Sequence, residues 1–117
     1  MKLGFIGTGN ITVAVVNGIC GSKIAFKKIL VSPRNKSKAL KLSKKFKKVS
    51  IAKTNQQIVD NCNWVFLAVT PKVGTKIIPK LKFRSNQKII SFISTIKLAQ
   101  LKKFIKKKVK IVRAIPL

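Results

Sequence analysis

A glycine-containing segment near the amino terminus carries the clearest chemical signal in the sequence. Gly7, Gly9 and Thr12 have the spacing G-x-G-x-x-T, directly after the mostly apolar residues 3–6 and directly before a second apolar segment. Gly7 permits a tight turn out of a strand, and Gly9 lets the backbone approach an anion closely. The N–H groups that open a following helix would point at the same anion. The segment therefore predicts a site for the pyrophosphate of a dinucleotide, with an ordinary strand-to-helix turn as the alternative.

A second polar segment follows at the distance where such sites contact the adenosine ribose. That distance is roughly 20 residues beyond the glycines, and it leads from Thr12 to Ser32, with Arg34 two residues later. A carboxylate at this point would select NAD, whereas a hydroxyl and an arginine suit the 2′-phosphate of NADP. Because Arg34 is one of three arginines among 24 lysines, its position is informative. The segment predicts NADP in preference to NAD.

The composition excludes several kinds of catalysis. The chain has no histidine, tyrosine or glutamate, and Asp60 is its one acidic residue. A Ser-His-Asp triad, a pair of catalytic carboxylates and a histidine metal site cannot be built from these residues. We therefore predict no catalytic side chain and no metal ligand, and we interpret Asp60 as a solvated surface residue. Any reactive group has to come from a cofactor.

The net charge of +26 predicts attraction to polyanions of any kind. Most lysines of residues 36–48 and 98–108 nevertheless fill the polar faces of two segments whose apolar residues recur at helical spacing. No series of aromatic residues alternates with these lysines to stack on bases. We interpret the lysines as solvated helix surfaces and polyanion binding as non-specific.

The cysteines and the apolar runs point to the cytoplasm. Cys20 and Cys62 lie far apart in apolar surroundings, which favours buried free thiols over a disulfide. No apolar run approaches the roughly 18 residues that a membrane span requires, so no membrane partner is expected.

The elements that must position the glycine segment alternate along the chain. Strands are predicted at residues 2–6, 28–32, 49–52, 64–69, 88–93 and 109–113. Helices are predicted between them at residues 11–19, 36–46, 55–59, 72–81 and 98–105. Continuous apolar strands that alternate with helices indicate a parallel sheet covered on both faces. We predict a single α/β domain over residues 1–117, a doubly wound, mainly parallel Rossmann sheet of strand order 3-2-1-4-5-6.

Five segments together resemble one enzyme family. In order and spacing they resemble the N-terminal domain of pyrroline-5-carboxylate reductase. The segments are GFIGTGNIT, VSPRNKSKA, WVFLAVTPKV, KIISFISTIKLAQL and VRAIP. The resemblance covers essentially the whole chain. It implies an oxidoreductase that transfers hydride from NADPH to a cyclic imine, in proline biosynthesis. It also implies a C-terminal helical dimerisation domain without a counterpart in these 117 residues, so a separate domain or subunit is an expected partner.

The resemblance also implies a set of cofactor-binding residues. They are Ile6, Gly7, Thr8, Gly9, Asn10 and Ile11 at the pyrophosphate, Ser32 and Arg34 at the 2′-phosphate, Asn55 near the adenosine ribose, and Ala68, Val69, Thr70, Pro71, Ile93, Ser94 and Thr95 towards the nicotinamide.

This sequence departs from the family pattern at three places. Thr12 replaces a small residue, Thr95 replaces a glycine, and the segment Arg113-Ala114-Ile115-Pro116-Leu117 lacks the family's asparagine after the proline. The main prediction is an NADP-binding reductase domain that needs further residues for activity. The alternatives are a non-catalytic nucleotide-binding module, another NADP-dependent reductase that shares this domain, and a basic phosphate-backbone binder without a cofactor.

Overall fold

A computed structural model describes residues 1–115, so Pro116, which ends the VRAIP segment, and Leu117 lie outside the described residues. Within residues 1–115 the chain forms six strands: β1 (Lys2–Ile6), β2 (Lys28–Val31), β3 (Val49–Ile51), β4 (Trp64–Leu67), β5 (Lys88–Ser91) and β6 (Lys110–Arg113). The helices between them are α1 (Asn10–Cys20), α2 (Lys36–Lys45), α3 (Asn55–Asn61), α4 (Pro71–Ile77) and α5 (Leu98–Ile105), and a 3-10 turn at Ile78–Lys80 follows α4.

The strands form one parallel sheet in the order β3-β2-β1-β4-β5-β6, which confirms the predicted topology. Phe5 of β1 is paired with Val31 of β2 on one side and with Phe66 of β4 on the other. The chain crosses from β1 to β2 in one direction and later returns to β4 on the far side of β1. Such a reversal opens a crevice at the carboxyl ends of the two central strands.

The helices cover the two faces of the sheet in separate groups. Helices α1 and α2 pack Val16, Ala39 and Leu42 against β1–β3. On the other face, α3, α4, α5 and the 3-10 turn form the larger core cluster with β4 and β5. The lysine-rich segment 36–48 is amphipathic as predicted, since Ala39 and Leu42 are buried while most of its lysines are exposed.

Four strands end earlier than their apolar runs predict. Strand β4 ends at Leu67 rather than at residue 69, and β5 ends at Ser91 rather than at residue 93. The apolar residues continue because Val69 and Ile93 pack against the core after the sheet hydrogen bonds have ended. Hydrophobicity reports burial and not pairing, so the sequence pattern extended the strands into loops.

Both cysteines are free thiols, as predicted, but only Cys62 is fully buried. Burial raises the pKa of the Cys62 thiol to about 11, against a smaller lowering by Lys2 and Arg84. Burial also raises the pKa of Cys20. Neither thiol is therefore activated as a nucleophile.

Across residues 1–115, no helix combines the length and apolar character that a membrane crossing requires.

Candidate functional site

A groove runs along the carboxyl ends of the central strands. It consists of two adjoining clefts of about 250 and 350 Å³ that share Gly9, Ala68, Val69 and Thr70. The first cleft extends to Arg34 after β2, and the second extends to Ser94 after β5. The groove therefore crosses the point where the strand order reverses, which is where open α/β sheets bind ligands.

Gly7 makes the turn that leads from β1 into the groove. Its φ of +102° lies in the region that side chains with a Cβ rarely adopt. A Cβ on Gly7 would lie against the carbonyl oxygen of Ala68 and 2.7 Å from its carbonyl carbon. The loop and the end of β4 are thus in backbone contact, and only glycine fits between them.

Gly9 leaves the start of α1 open to the groove. A Cβ on Gly9 would meet nothing within 4 Å, and no side chain caps the helix at this residue. The first N–H groups of an α-helix have no partner within the helix. The first turn also contains no acidic residue that would repel an anion. The open backbone and the helix dipole together suit a pyrophosphate.

Two buried hydroxyls hold the glycine loop to the end of β2. The Ser32 hydroxyl accepts a hydrogen bond from the Gly7 N–H at 3.0 Å. Thr8 Oγ1 lies 2.9 Å from the Ser32 carbonyl oxygen, to which it donates, and 3.0 Å from Ser32 Oγ. Since the Thr8 proton goes to the carbonyl, the Ser32 proton goes to Thr8 Oγ1. Ser32 is 1% exposed and Thr8 is 3% exposed, so Ser32 has no donor left for a phosphate while this network is intact.

This network predicts the effect of replacing Ser32 by alanine. The buried Gly7 N–H would lose its acceptor, and we expect the free energy of unfolding to fall by about 1–2 kcal/mol. Urea unfolding measures that loss. Ser37→Ala, at an exposed position in α2, is the matched control and should change stability by less than about 0.5 kcal/mol. A stable Ser32→Ala protein that has lost its preference for NADPH would instead place the hydroxyl on the cofactor.

Thr12 is accommodated at the last position of the G-x-G-x-x-T segment, where dinucleotide-binding loops usually have glycine or alanine. Its side chain is fully buried, and its hydroxyl donates to the carbonyl oxygen of Gly7 at 2.6 Å. The third glycine normally allows the helix to pack closely on the strand. In this chain the larger side chain of Thr12 is buried there, and its hydroxyl group is paired by the hydrogen bond to the loop.

Arg34 and Asn35 line the end of the groove beyond the glycine loop. Arg34 is exposed and Asn35 adopts a left-handed conformation, with φ at 60°, immediately before α2. Asparagine tolerates this conformation better than most residues do. The turn leaves Arg34 at the groove, whereas Ser32 is buried under the loop.

The other end of the groove is lined by residues that follow β4 and β5. Thr70 precedes α4, where its hydroxyl accepts from the Val73 N–H at 3.4 Å, and Pro71 is the first residue of that helix. Ile93 is buried and Ser94 is exposed. The Ser94 carbonyl accepts a hydrogen bond from the Arg113 guanidinium at 2.5 Å, which ties this loop to the end of β6.

The structure brings most of the predicted site residues to one groove, but not all of them. Those that line it are Gly7, Thr8, Gly9, Asn10, Ile11, Arg34, Ala68, Val69, Thr70, Pro71, Ile93 and Ser94. Ile6 lies in the core, Ser32 is under the loop, and Thr95 is exposed outside the lining. Asn55 begins α3 outside the lining, and its buried Oδ1 has no hydrogen-bond partner among the described residues.

Three residues that line the groove were not predicted from the sequence. Asn35, Val73 and Phe92 also face the groove. Asn35 could have been found beside Arg34, since asparagine is frequent in turns. No local signal in the sequence distinguishes Val73 and Phe92 from the apolar residues of the core.

The groove has the charge and shape that a phosphorylated dinucleotide requires. Its lining includes the cation Arg34 and contains no acidic side chain, because Asp60 on α3 is the only one in the chain. A Cβ on Gly9 would occupy the space next to the helix start. These features fit the phosphate groups of NADP.

Comparison with known proteins gives a family match and several similar relatives. The profile of the family described as NADP oxidoreductase coenzyme F420-dependent matches residues 2–97. Pyrroline-5-carboxylate reductase 3 of Danio rerio is 27% identical over 119 residues, which cover 99% of this chain and 41% of that protein.

Solved structures show the same relationship. A pyrroline-5-carboxylate reductase from Streptococcus pyogenes superposes with a TM-score of 0.83 at 26% identity, covering 99% of this chain and 42% of that one. The enzyme from Coxiella burnetii superposes with a TM-score of 0.82 at 26% identity, covering 97% and 43%. The chain thus spans about two fifths of the length of these relatives.

Proposed function

Because this chain belongs to the family of NADP oxidoreductases described as coenzyme F420-dependent, we propose that its groove binds NADPH and presents the nicotinamide for hydride transfer. The observation that carries the proposal is the continuity of the groove from Arg34 through Gly9 to Ser94. It matches a dinucleotide laid across the reversal of strand order, with the pyrophosphate at the start of α1.

The side chains of this domain would bind and orient the cofactor rather than exchange protons. NADPH supplies a hydride when bound. Arg34 would pair with the 2′-phosphate, and the backbone of residues 7–11 would hold the pyrophosphate. Val69, Thr70 and Ile93 would confine the nicotinamide on one side of the groove.

We further propose that the hydride acceptor is an imine carbon, in the manner of pyrroline-5-carboxylate reductase. The support is the similarity of about 26% to such enzymes over nearly the whole chain. The groove residues provide no general acid, since the chain has no histidine, tyrosine or glutamate. Turnover would therefore need an additional domain or subunit to complete the substrate site.

A direct titration tests the cofactor proposal. Calorimetric binding of NADPH and NADH is measured at low and at moderate salt, because a chain of charge +26 attracts any anion when salt is low. A built site retains its preference for NADPH at moderate salt. If salt abolishes both affinities equally, only non-specific attraction remains and the proposal fails. Turnover of pyrroline-5-carboxylate with NADPH tests the imine proposal separately.

Arg34→Ala should narrow the difference between the two cofactors. Removal of one charged hydrogen bond to the 2′-phosphate weakens NADPH binding by about tenfold and leaves NADH binding nearly unchanged. Lys102→Ala on the exposed face of α5 removes the same charge away from the groove. An unchanged ratio of NADPH to NADH affinity in Arg34→Ala would show that Arg34 does not contact the 2′-phosphate.

A further inference from the structure

One half of the sheet is covered on only one of its faces. In β5, Ile89 and Ser91 are fully buried under the layer of α3–α5. The alternate residues Lys88 and Ile90 face the other way and are exposed or only partly buried. In β6, Val112 is 58% exposed. The cluster under helices α1 and α2 covers β1–β3 on this face and extends to Ile90 of β5, so the open sheet surface there consists of the amino end of β5 and of β6.

The open face carries the only tryptophan of the chain beside a row of lysines. Trp64, Lys88 and Lys110 are directly paired across β4, β5 and β6, so their side chains lie on the same face. Lys88 Nζ lies 4.9 Å from the centroid of the Trp64 ring. The half-buried ring packs partly against the core cluster under α1 and α2, and an exposed lysine lies over one of its faces.

A cleft of about 360 Å³ continues this row at the amino ends of β5 and β6. It is lined by Lys88, Lys108 and Lys110 together with Ser85 and Asn86. Lys88 and Lys110 are cross-strand neighbours, and like charges at such positions repel each other.

No acidic side chain relieves this repulsion. The only one in the chain, Asp60, lies on α3 at the other face of the sheet, where it accepts a hydrogen bond from Gln56. A bound anion would remove the repulsion between Lys88 and Lys110.

We propose that Trp64, Lys88, Lys108 and Lys110, which we name the Trp64 surface, bind single-stranded nucleic acid without regard to its sequence. Its bases are free to stack on an aromatic ring while a row of cations follows its phosphates. A duplex keeps its bases stacked inside, and an anionic bilayer or an acidic protein has no comparable series of planar rings. The ring and the lysines together favour the single strand.

The Trp64 surface is separate from the NADP groove. Trp64, Lys88 and Lys110 are the first residues of their strands, whereas the groove is formed by residues that follow the strand ends. Nucleic acid and NADPH would therefore bind at opposite ends of the sheet, and neither should displace the other at moderate salt.

Fluorescence anisotropy of a labelled oligothymidylate tests the proposal on the whole chain. Lys88→Gln/Lys110→Gln is compared with Lys102→Gln/Lys103→Gln, which removes the same charge from α5 on the other face. We expect the slope of log affinity against log salt to fall by about 1.4 in the first variant, for two phosphate contacts, and to stay near the parent value in the second. If the slope fell equally in both variants, binding would depend only on net charge, and the proposal would be overturned.

Trp64 is tested by two substitutions. Trp64→Leu should weaken oligothymidylate binding about tenfold, whereas Trp64→Phe should keep most of the affinity because its ring still stacks. Circular dichroism confirms that both variants are folded. The proposal would be overturned if the two variants bound oligothymidylate with equal affinity. It would also be overturned if the parent bound duplex DNA, phosphatidylserine vesicles or polyglutamate more tightly than the single strand.

Discussion

Replacement of Gly9 by valine is expected to abolish NADPH binding while the protein stays folded. The φ of Gly9 is −95°, which any residue adopts, and an added Cβ would meet nothing within 4 Å. The isopropyl group would therefore stand in the groove, where the pyrophosphate has to approach the start of α1. Loss of two charged hydrogen bonds corresponds to a weakening of about a hundredfold or more. The free energy of unfolding should fall by no more than about 1 kcal/mol. This is the loss expected when valine, a poor N-cap residue, replaces glycine at the start of α1.

Calorimetry with NADPH and urea unfolding measure these two effects. Gly18→Val is the matched control, because it makes the same substitution near the other end of α1 and also meets nothing within 4 Å. It should bind NADPH like the parent. If Gly9→Val bound NADPH normally, the pyrophosphate would not lie at this helix start, and the proposed groove would be wrong.

Gly7→Ala is expected to act in the opposite way. It should mainly lower the free energy of unfolding, whereas Gly9→Val mainly removes NADPH binding. The positive φ alone costs an L-residue about 1–2 kcal/mol. The new methyl group would also lie 2.7 Å from the Ala68 carbonyl carbon and 2.8 Å from Val69 Cγ1. Backbone atoms cannot rotate away as a long side chain can, so overpacking adds about 1–3 kcal/mol. We expect a total loss of about 3 kcal/mol in the free energy of unfolding.

Thermal and urea unfolding test this second prediction. Gly18→Ala, which should be neutral or slightly stabilising at an exposed helical position, provides the control. A Gly7→Ala protein as stable as the parent would show that the loop is not held against Ala68. Together, the two glycine variants separate the residue that shapes the loop from the residue that admits the ligand.

Much of the fold could be predicted from the sequence. Apolar strands such as residues 64–67, separated by lysine-rich amphipathic helices, indicate a parallel sheet with little ambiguity. The order β3-β2-β1-β4-β5-β6 followed from the six strands alternating with helices, a pattern typical of the doubly wound dinucleotide-binding fold. The ends of β4 and β5 could not be predicted, because Val69 and Ile93 are as apolar as the residues that pair.

The candidate site was predicted less completely than the fold. The spacing from Gly7 to Arg34 predicted a dinucleotide site, and both residues line one groove because they follow strands whose carboxyl ends meet. The sequence assigned Ser32 to the cofactor, which stays a prediction, whereas the structure shows its hydroxyl engaged by Gly7 and Thr8. A hydrogen bond between residues 24 positions apart leaves no trace in local spacing.

The sequence by itself indicated the fold class, the glycine loop and NADP as the cofactor, because these inferences depend on residue type and on short, regular spacings. Only the tertiary structure decided which hydroxyls are buried under the loop and which face the groove. Only the structure, too, placed Trp64 beside Lys88 and Lys110 on an open sheet face, although the three lie far apart in the chain. The physical reason is that sheet register and helix coverage depend on contacts across the whole chain, and no local pattern encodes them.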